Sequence, residues 1–198
     1  MSNIANYWKT IEEFFKITNI DIFNSLQEPA NENEIKELEN ILKINLPEAF
    51  KESLLIHNGQ KETDNVIGFV DSHELLTVNE MIITYKELCE YFHENETIDY
   101  IKKPYECKYI KRNYLYNYKW LKFSKSVLSW SEGLIIDYDP AEKGIIGQIF
   151  FLSDRKIPED KILAKSYENW LERMCILIEN NEYKIKNGNV IFGSLKII

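Results

Sequence analysis

Three carboxylates stand close together in "LIIDYDPAEKGIIGQIFFL" (residues 134–152): Asp137, Asp139 and Glu142. Acids at such spacing suit a hard cation such as Mg²⁺ or Ca²⁺, which takes oxygen ligands. With Tyr138 in a strand, Asp137 and Asp139 would share one face, an arrangement that would serve a metal-dependent hydrolase. The same residues also spell a turn. Asp139-Pro140 would start it, the Asp side chain capping backbone N–H groups and Pro presetting φ. Gly144 would supply a positive φ near its end, Gly147 would admit a close neighbour, and Gln148 would hydrogen-bond the loop. The run lacks the alternating acids and closing bidentate Glu of an EF-hand. The turn reading is therefore preferred, and neither a metal nor a cofactor is expected.

A second candidate is basic. "YIKKPYECKYIKRNYLYNYKW" (100–120) interleaves six Tyr and one Trp with six Lys/Arg. That mixture suits stacking on unpaired bases beside phosphate contacts. A solvent-facing β-ribbon with aromatic cross-strand pairs explains it as well, and Tyr-rich surfaces also anchor protein partners. The ribbon is preferred over a nucleic-acid site because the whole chain is acidic. His57, His73 and His93 share no motif, and no His-x-x-x-His, Gly-x-Ser-x-Gly or phosphate-binding Gly loop occurs. Ser131-Glu132-Gly133 reads as a turn rather than a nucleophile site. His57 follows a helix end, where a cationic side chain suits the dipole. Cys89, Cys107 and Cys175 lack metal-type spacing and read as free thiols in a reducing cytoplasm.

The formal charge is −8 over 198 residues, with 44% apolar and 28% charged side chains. This composition supports a packed core and one domain over 1–198. Neither a membrane span nor a signal peptide is expected. Charge is segregated: residues 1–100 hold seven Lys/Arg against twenty Asp/Glu, whereas 101–130 hold eight against one.

The elements that must position these groups follow from periodicity. Ile4, Tyr7/Trp8, Ile11 and Phe14/Phe15 recur at helical spacing. A second helix opens at Asn31, with Glu34 at capping-box spacing, and buries Ile35, Leu38 and Ile41/Leu42. The residue before Pro47 avoids helical backbone, so Leu46-Pro47 ends it. Pro47 suits the first turn of a third helix over 48–56, which Gly59 closes in a left-handed conformation. Residues 65–71 read as a short strand. A helix follows, capped at Thr77 or Asn79, with Met81, Tyr85, Leu88 and Phe92 inward. Period-two alternation over Tyr114, Tyr116, Tyr118 and Trp120 signals a strand. "SVLSWSEGLIIDYD" adds one or two strands, and "GIIGQIFFLSD" another. Ser166 caps a helix carrying Trp170/Leu171, Met174, Leu177 and Ile178. Asn187-Gly188 between alternating runs marks a hairpin. The expected fold is α+β: a mostly antiparallel central sheet, with N-terminal helices and a C-terminal helix packed on it, plus a C-terminal hairpin.

Several of these pieces occur together in one family. "IKELENILKINLPEAFKESLLIHNG" (35–59) resembles the helix–Leu-Pro–helix–Asn-Gly opening of the SUKH superfamily, which contains bacterial toxin-immunity proteins and fungal regulators of cell-wall assembly. Ile67-Gly68-Phe69 ahead of "LLTVNEMIITYKEL", then Trp120, then "GLIIDYDPAEKGIIGQIFFL" resemble the family's Asp-x-x-Pro…Gly-x-x-Gly-Gln segment and its approach. "SYENWL" resembles its Ser-aromatic-x-x-Trp-Leu helix start. The resemblance covers roughly 31–178, leaving 1–30 as an N-terminal helix and 182–198 as a hairpin tail.

The resemblance implies a binding protein rather than an enzyme: an immunity protein that occludes a cognate toxin domain, with a regulatory adaptor as the alternative. An acidic half would steer toward the basic cleft of a toxin that attacks nucleic acid. Glu62, Asp64, Asp71 and Glu74, around 65–71, are the expected partner contacts. Oligomeric state is left open.

Overall fold

The computed structural model describes residues 3–61, 68–94, 108–111, 117–127, 129, 131–153, 160–186 and 189–192. The helices are α1 (Ile4–Thr18), α2 (Ile20–Ser25), α3 (Glu32–Leu42), α4 (Glu48–Leu54), α5 (Val78–Glu94) and α6 (Tyr167–Glu179). The strands are β1 (His73–Leu75), β2 (Trp120–Lys122), β3 (Ser124–Ser126), β4 (Gly133–Asp137), β5 (Gln148–Leu152), β6 (Lys184–Lys186) and β7 (Asn189–Ile191). All named pairings are antiparallel, so the α+β expectation holds.

Local chemistry sets most helix ends. The Asn31 side chain accepts from the Glu34 N–H while Glu34 reaches back to the Asn31 N–H, closing a capping box. Thr77 and Glu80 make the same reciprocal pair at the start of α5. Ser166 accepts from the Asn169 N–H at the start of α6. Asn19, a cap the periodicity did not single out, accepts from Asp21 and Ile22 and starts the extra helix α2. Helix α3 stops at Leu42, four residues earlier than the Leu46-Pro47 signal, because Lys43 turns left-handed at φ 53°. Pro47 then occupies the N-cap of α4 rather than its first turn. Gly59 takes φ +70°, as its place after the helix requires.

The central sheet runs β2-β4-β5. Its alternation splits the core in two. Leu121, Leu134, Ile136 and Ile149 face the larger cluster, which includes Trp8, Ile11 and Phe15 of α1, Phe50 of α4, and Trp170, Leu171 and Met174 of α6. Trp120, Ile135, Phe150 and Leu152 face the other way and pack with Leu88 of α5 and Ile110. Helix α5 therefore contributes to both clusters, Met81 to one and Leu88 to the other. Trp120 and Phe150 meet edge to face at 4.9 Å, a geometry that adds to their burial.

The strand expected over 65–71 is displaced. Of its described part, only Val70 makes a bridge, and that bridge is to His73 across a tight turn. Asp71 and Ser72 both have positive φ, 47° and 66°, the signature of a two-residue hairpin turn. Strand pairing begins afterwards, where β1 meets β3 in a two-stranded sheet of their own. The alternation over 114–116 and the Asn187-Gly188 turn lie outside the described residues. Strands β6 and β7 do pair as the hairpin pattern requires.

Candidate functional site

Asp137 closes β4 and is fully buried. In register, Trp120 of β2 pairs with Asp137, and Asp137 pairs with Gln148 of β5. Directly opposed residues in antiparallel strands project to the same face. The sheet thus delivers an indole, a carboxylate and an amide side by side. The Trp120 Nε1–H donates to Asp137 Oδ1 at 3.1 Å and the Asp139 N–H donates to the same oxygen at 2.9 Å. Gln148 Nε2 donates to Oδ2 at 2.9 Å. Burial pushes the Asp137 carboxyl up to about 6, while the donors from Asp139, Gln148 and Trp120 oppose that rise.

The amide of Gln148 is fixed in orientation. Its Nε2 also donates to the Tyr109 carbonyl at 2.7 Å, and its Oε1 accepts from the Ile145 N–H at 3.0 Å. Residues 108–111 form a strap across the β4–β5 loop. The Ala141 N–H donates to the Tyr109 carbonyl and the Lys143 N–H to the Lys108 carbonyl. The N–H groups of the same strap are held by Asp160, whose carboxylate accepts from those of Lys108, Tyr109 and Ile110 at 2.6, 2.8 and 2.9 Å.

Asp139 points to different partners. Lys111 Nζ is ion-paired with Oδ1, and Asn117 Nδ2 donates to Oδ2 at 3.0 Å. Burial works against it, but Lys111 and Asn117 hold the Asp139 carboxyl below the usual carboxylate range. Glu142 is exposed. Among the described residues no group of three His, Cys, Asp or Glu side chains converges as a metal site would require. Both Asp137 oxygens already accept hydrogen bonds from donors of the fold itself.

The turn reading holds, with its roles redistributed. Asp137, not Asp139, caps the turn backbone. The two glycines exchange the roles expected of them. Gly147 takes φ +88°, and its N–H donates to the Asp137 carbonyl at 2.7 Å. Gly144 has no positive φ, but a Cβ there would collide with the Tyr109 carbonyl of the strap. Gln148 does hydrogen-bond the loop.

The four expected partner contacts divide. Glu62 and Asp64 lie outside the described residues. Asp71 sits in the tight turn, and its Oδ1 accepts from the Phe192 N–H at 2.9 Å. Its own N–H donates to the Val190 carbonyl at 3.0 Å, so Asp71 fastens the C-terminal hairpin to the body. Glu74 of β1 lies 3.4 Å from Lys125 of β3, whose Nζ is also 3.2 Å from Glu80 of α5. Burial works against it, but Glu80 and Glu74 hold the Lys125 ammonium above its usual range.

The histidines are likewise absorbed by structure. His57 Nε2 lies 3.1 Å from Glu12 and its Nδ1 2.9 Å from the Gln27 carbonyl. His73 Nδ1 donates to the Asp71 carbonyl at 3.0 Å, and burial lowers its basicity. The His93 side chain, Cys107 and most of the Tyr-rich stretch lie outside the described residues. Cys175 is a buried free thiol pushed up to about 12 by burial, and Cys89 is raised for the same reason. Among the described residues no helix is long and apolar enough to cross a membrane. The Asp160 clamp was invisible in the sequence, because its partners stand about fifty positions away and share no motif with it.

A glucan synthesis regulatory protein of Neurospora crassa is 32% identical over 79 residues, which cover 40% of this chain and 15% of the fungal protein. The chain thus aligns with only a small part of that relative's length. The family model for SMI1/KNR4 (SUKH-1) matches residues 29–173, a span that contains the capping box at Asn31, the Trp120–Asp137–Gln148 row and the Asp160 clamp. With nearly three quarters of its length inside that match, the chain belongs to the SMI1/KNR4 family (SUKH-1).

Proposed function

We propose that this protein is a non-enzymatic immunity protein that binds a cognate toxin domain and occludes it, with no cofactor, in the cytoplasm. The observation that carries this reading is the segregation of charge in a chain of this family: seven Lys/Arg against twenty Asp/Glu in residues 1–100. Exposed Glu13, Glu32, Glu37, Glu87 and Glu90 lie on helices α1, α3 and α5. Such a surface attracts the basic cleft of a nucleic-acid-cutting enzyme, accelerates encounter and makes binding sensitive to salt. Glu62, Asp64, Asp71 and Glu74 are the proposed contacts. Of these, Glu74 is the one whose present partner, Lys125, is shared with Glu80 and so is not left alone when Glu74 turns to a toxin.

Family membership and the carboxylates consumed by the fold both support a binding role over a hydrolytic one. Co-expression with toxins encoded beside this gene tests the reading. Protection of the host together with a salt-sensitive complex is the expected result; the absence of both protection and binding across that set would refute the reading. A second reading, a regulatory adaptor, is favoured by the similarity to the fungal regulator. A partner other than a toxin, recovered with the purified protein and lost in a Glu87→Lys/Glu90→Lys variant, would favour it.

A further inference from the structure

Two exposed apolar spots on this chain carry opposite charge. The first is the tip of the β4–β5 loop, where Ile146 is 70% and Ile145 48% exposed. Around it lie the ends of other segments. Gly147 approaches Pro47, Lys119 Nζ donates to the Lys43 carbonyl at 3.3 Å, and Lys143 is tied to Lys108 through the backbone. The segments that meet at this end thus carry Lys43, Lys108, Lys119 and Lys143; Lys111 is paired to Asp139, Asp160 accepts from the Lys108 N–H, and Glu142 is exposed. The second spot is the outer face of α5. Ile83 is 46% exposed, and Glu87 and Glu90 follow at i+4 and i+7 on the same face, with Lys86 beside them.

Aliphatic side chains offer nothing for a nucleic-acid base to stack on. Exposed isoleucines beside segments rich in lysine instead have the composition of a protein interface, apolar in the middle and charged at the edge. Its complement is an apolar centre with an acidic rim, and the chain carries one on α5.

We propose that the Ile145-Ile146 tip of one copy docks on the Ile83–Glu87–Glu90 face of a second copy. The two patches differ, so the contact is heterologous and extends head to tail unless its rotation closes a ring. Both patches are small, so the association is weak, concentration-dependent and strongest at low salt, where charges act over about 20–30 Å. The inference concerns the free protein and shares Glu87 and Glu90 with the acidic surface of the toxin reading, so its test reads self-association with no toxin present.

Sedimentation of the purified full chain over a wide concentration range, at low and at high salt, tests it. The expected result is reversible self-association that weakens at least tenfold with salt. Ile146→Glu and Glu87→Lys/Glu90→Lys change exposed side chains and leave the core untouched; each variant alone should be monomeric. Mixed, they should recover a dimer and nothing larger, because one variant keeps an intact α5 face and the other an intact tip. A wild-type chain that stays monomeric at low salt overturns the proposal, as does a mixture that stays monomeric. Self-association unchanged in Ile146→Glu also overturns it. Binding of an acidic peptide or of single-stranded DNA at the tip by a monomeric wild type would assign this end to another partner, and so would overturn it too.

Discussion

Two acidic turns, Asp137–Asp139 and Asp71–Glu74, look alike on paper and behave differently in the fold. Asp137 is sealed inside the sheet with three N–H donors on its two oxygens. Asp71 is half-buried at a tight turn, and Glu74 shares a partly exposed lysine with Glu80. The difference comes from what surrounds each carboxylate. Where strands in register aim donors at one point, a buried acid becomes part of the framework. Where one backbone N–H or one shared lysine is the neighbour, as at Asp71 and Glu74, the acid stays partly exposed. Acidity alone does not distinguish the two cases; the direction of nearby N–H groups does.

Replacing Asp137 with Ala should produce the largest effect. It leaves a buried indole, a backbone N–H and an amide without their acceptor, at a cost of about 3–5 kcal/mol in denaturant unfolding. The matching change at Asp71, to Ala, removes one acceptor and strains a positive φ, for about 2 kcal/mol. Equal losses at both sites would erase the contrast between the two turns. Gly144→Ala, which must push the Tyr109 carbonyl away, should cost about 1–3 kcal/mol. It should also expose the strap to protease more than Gly147→Ala does, since the latter only strains φ.

Asp137 in the folded protein titrates near 6, above the ~3.9 of an unfolded Asp. Its neutral form therefore contributes stability that is fully present below about pH 4 and lost as pH rises through 6, about 3 kcal/mol at most. His73 has the opposite sense. Burial lowers its pKa, so it contributes above about pH 6.5, and that contribution is lost as pH falls through its folded value. The penalty of Asp137→Asn should consequently grow between pH 7 and pH 4.5. A penalty that shrinks instead would mean that the three hydrogen bonds outweigh burial. Glu74→Gln should give the smallest change, a few tenths of a kcal/mol in stability, while slowing association with a basic partner at low salt.

What the sequence disclosed was local. Asn31 with Glu34, Ser166 before its helix and Gly59 after one could be read because each partner lies within a few residues. The hydrophobic stripes of α1, α3 and α6 could be read for the same reason. The pieces of the Trp120–Asp137–Gln148 row are all visible in the sequence, but their meeting is not, since register between strands is not written in any one of them. The exchange of roles between Gly144 and Gly147 has the same origin: the obstacle at Gly144 is a carbonyl from residue 109. The displaced strand at 65–71 shows a different limit. Alternation marks residues able to pair, but the turn at Asp71-Ser72 decided where pairing begins.

The Asp160 carboxylate carries a consequence for measurement. Three successive amides, those of Lys108, Tyr109 and Ile110, share that single acceptor group. Opening the clamp frees all three at once, so their protons should exchange with solvent at one common free energy, below that of the buried sheet. An Asp160→Asn variant should lower that value for the trio together and leave the amides of β4 and β5 unchanged. The strap thus contains its own reporter, readable from a hydrogen-exchange series on the intact chain.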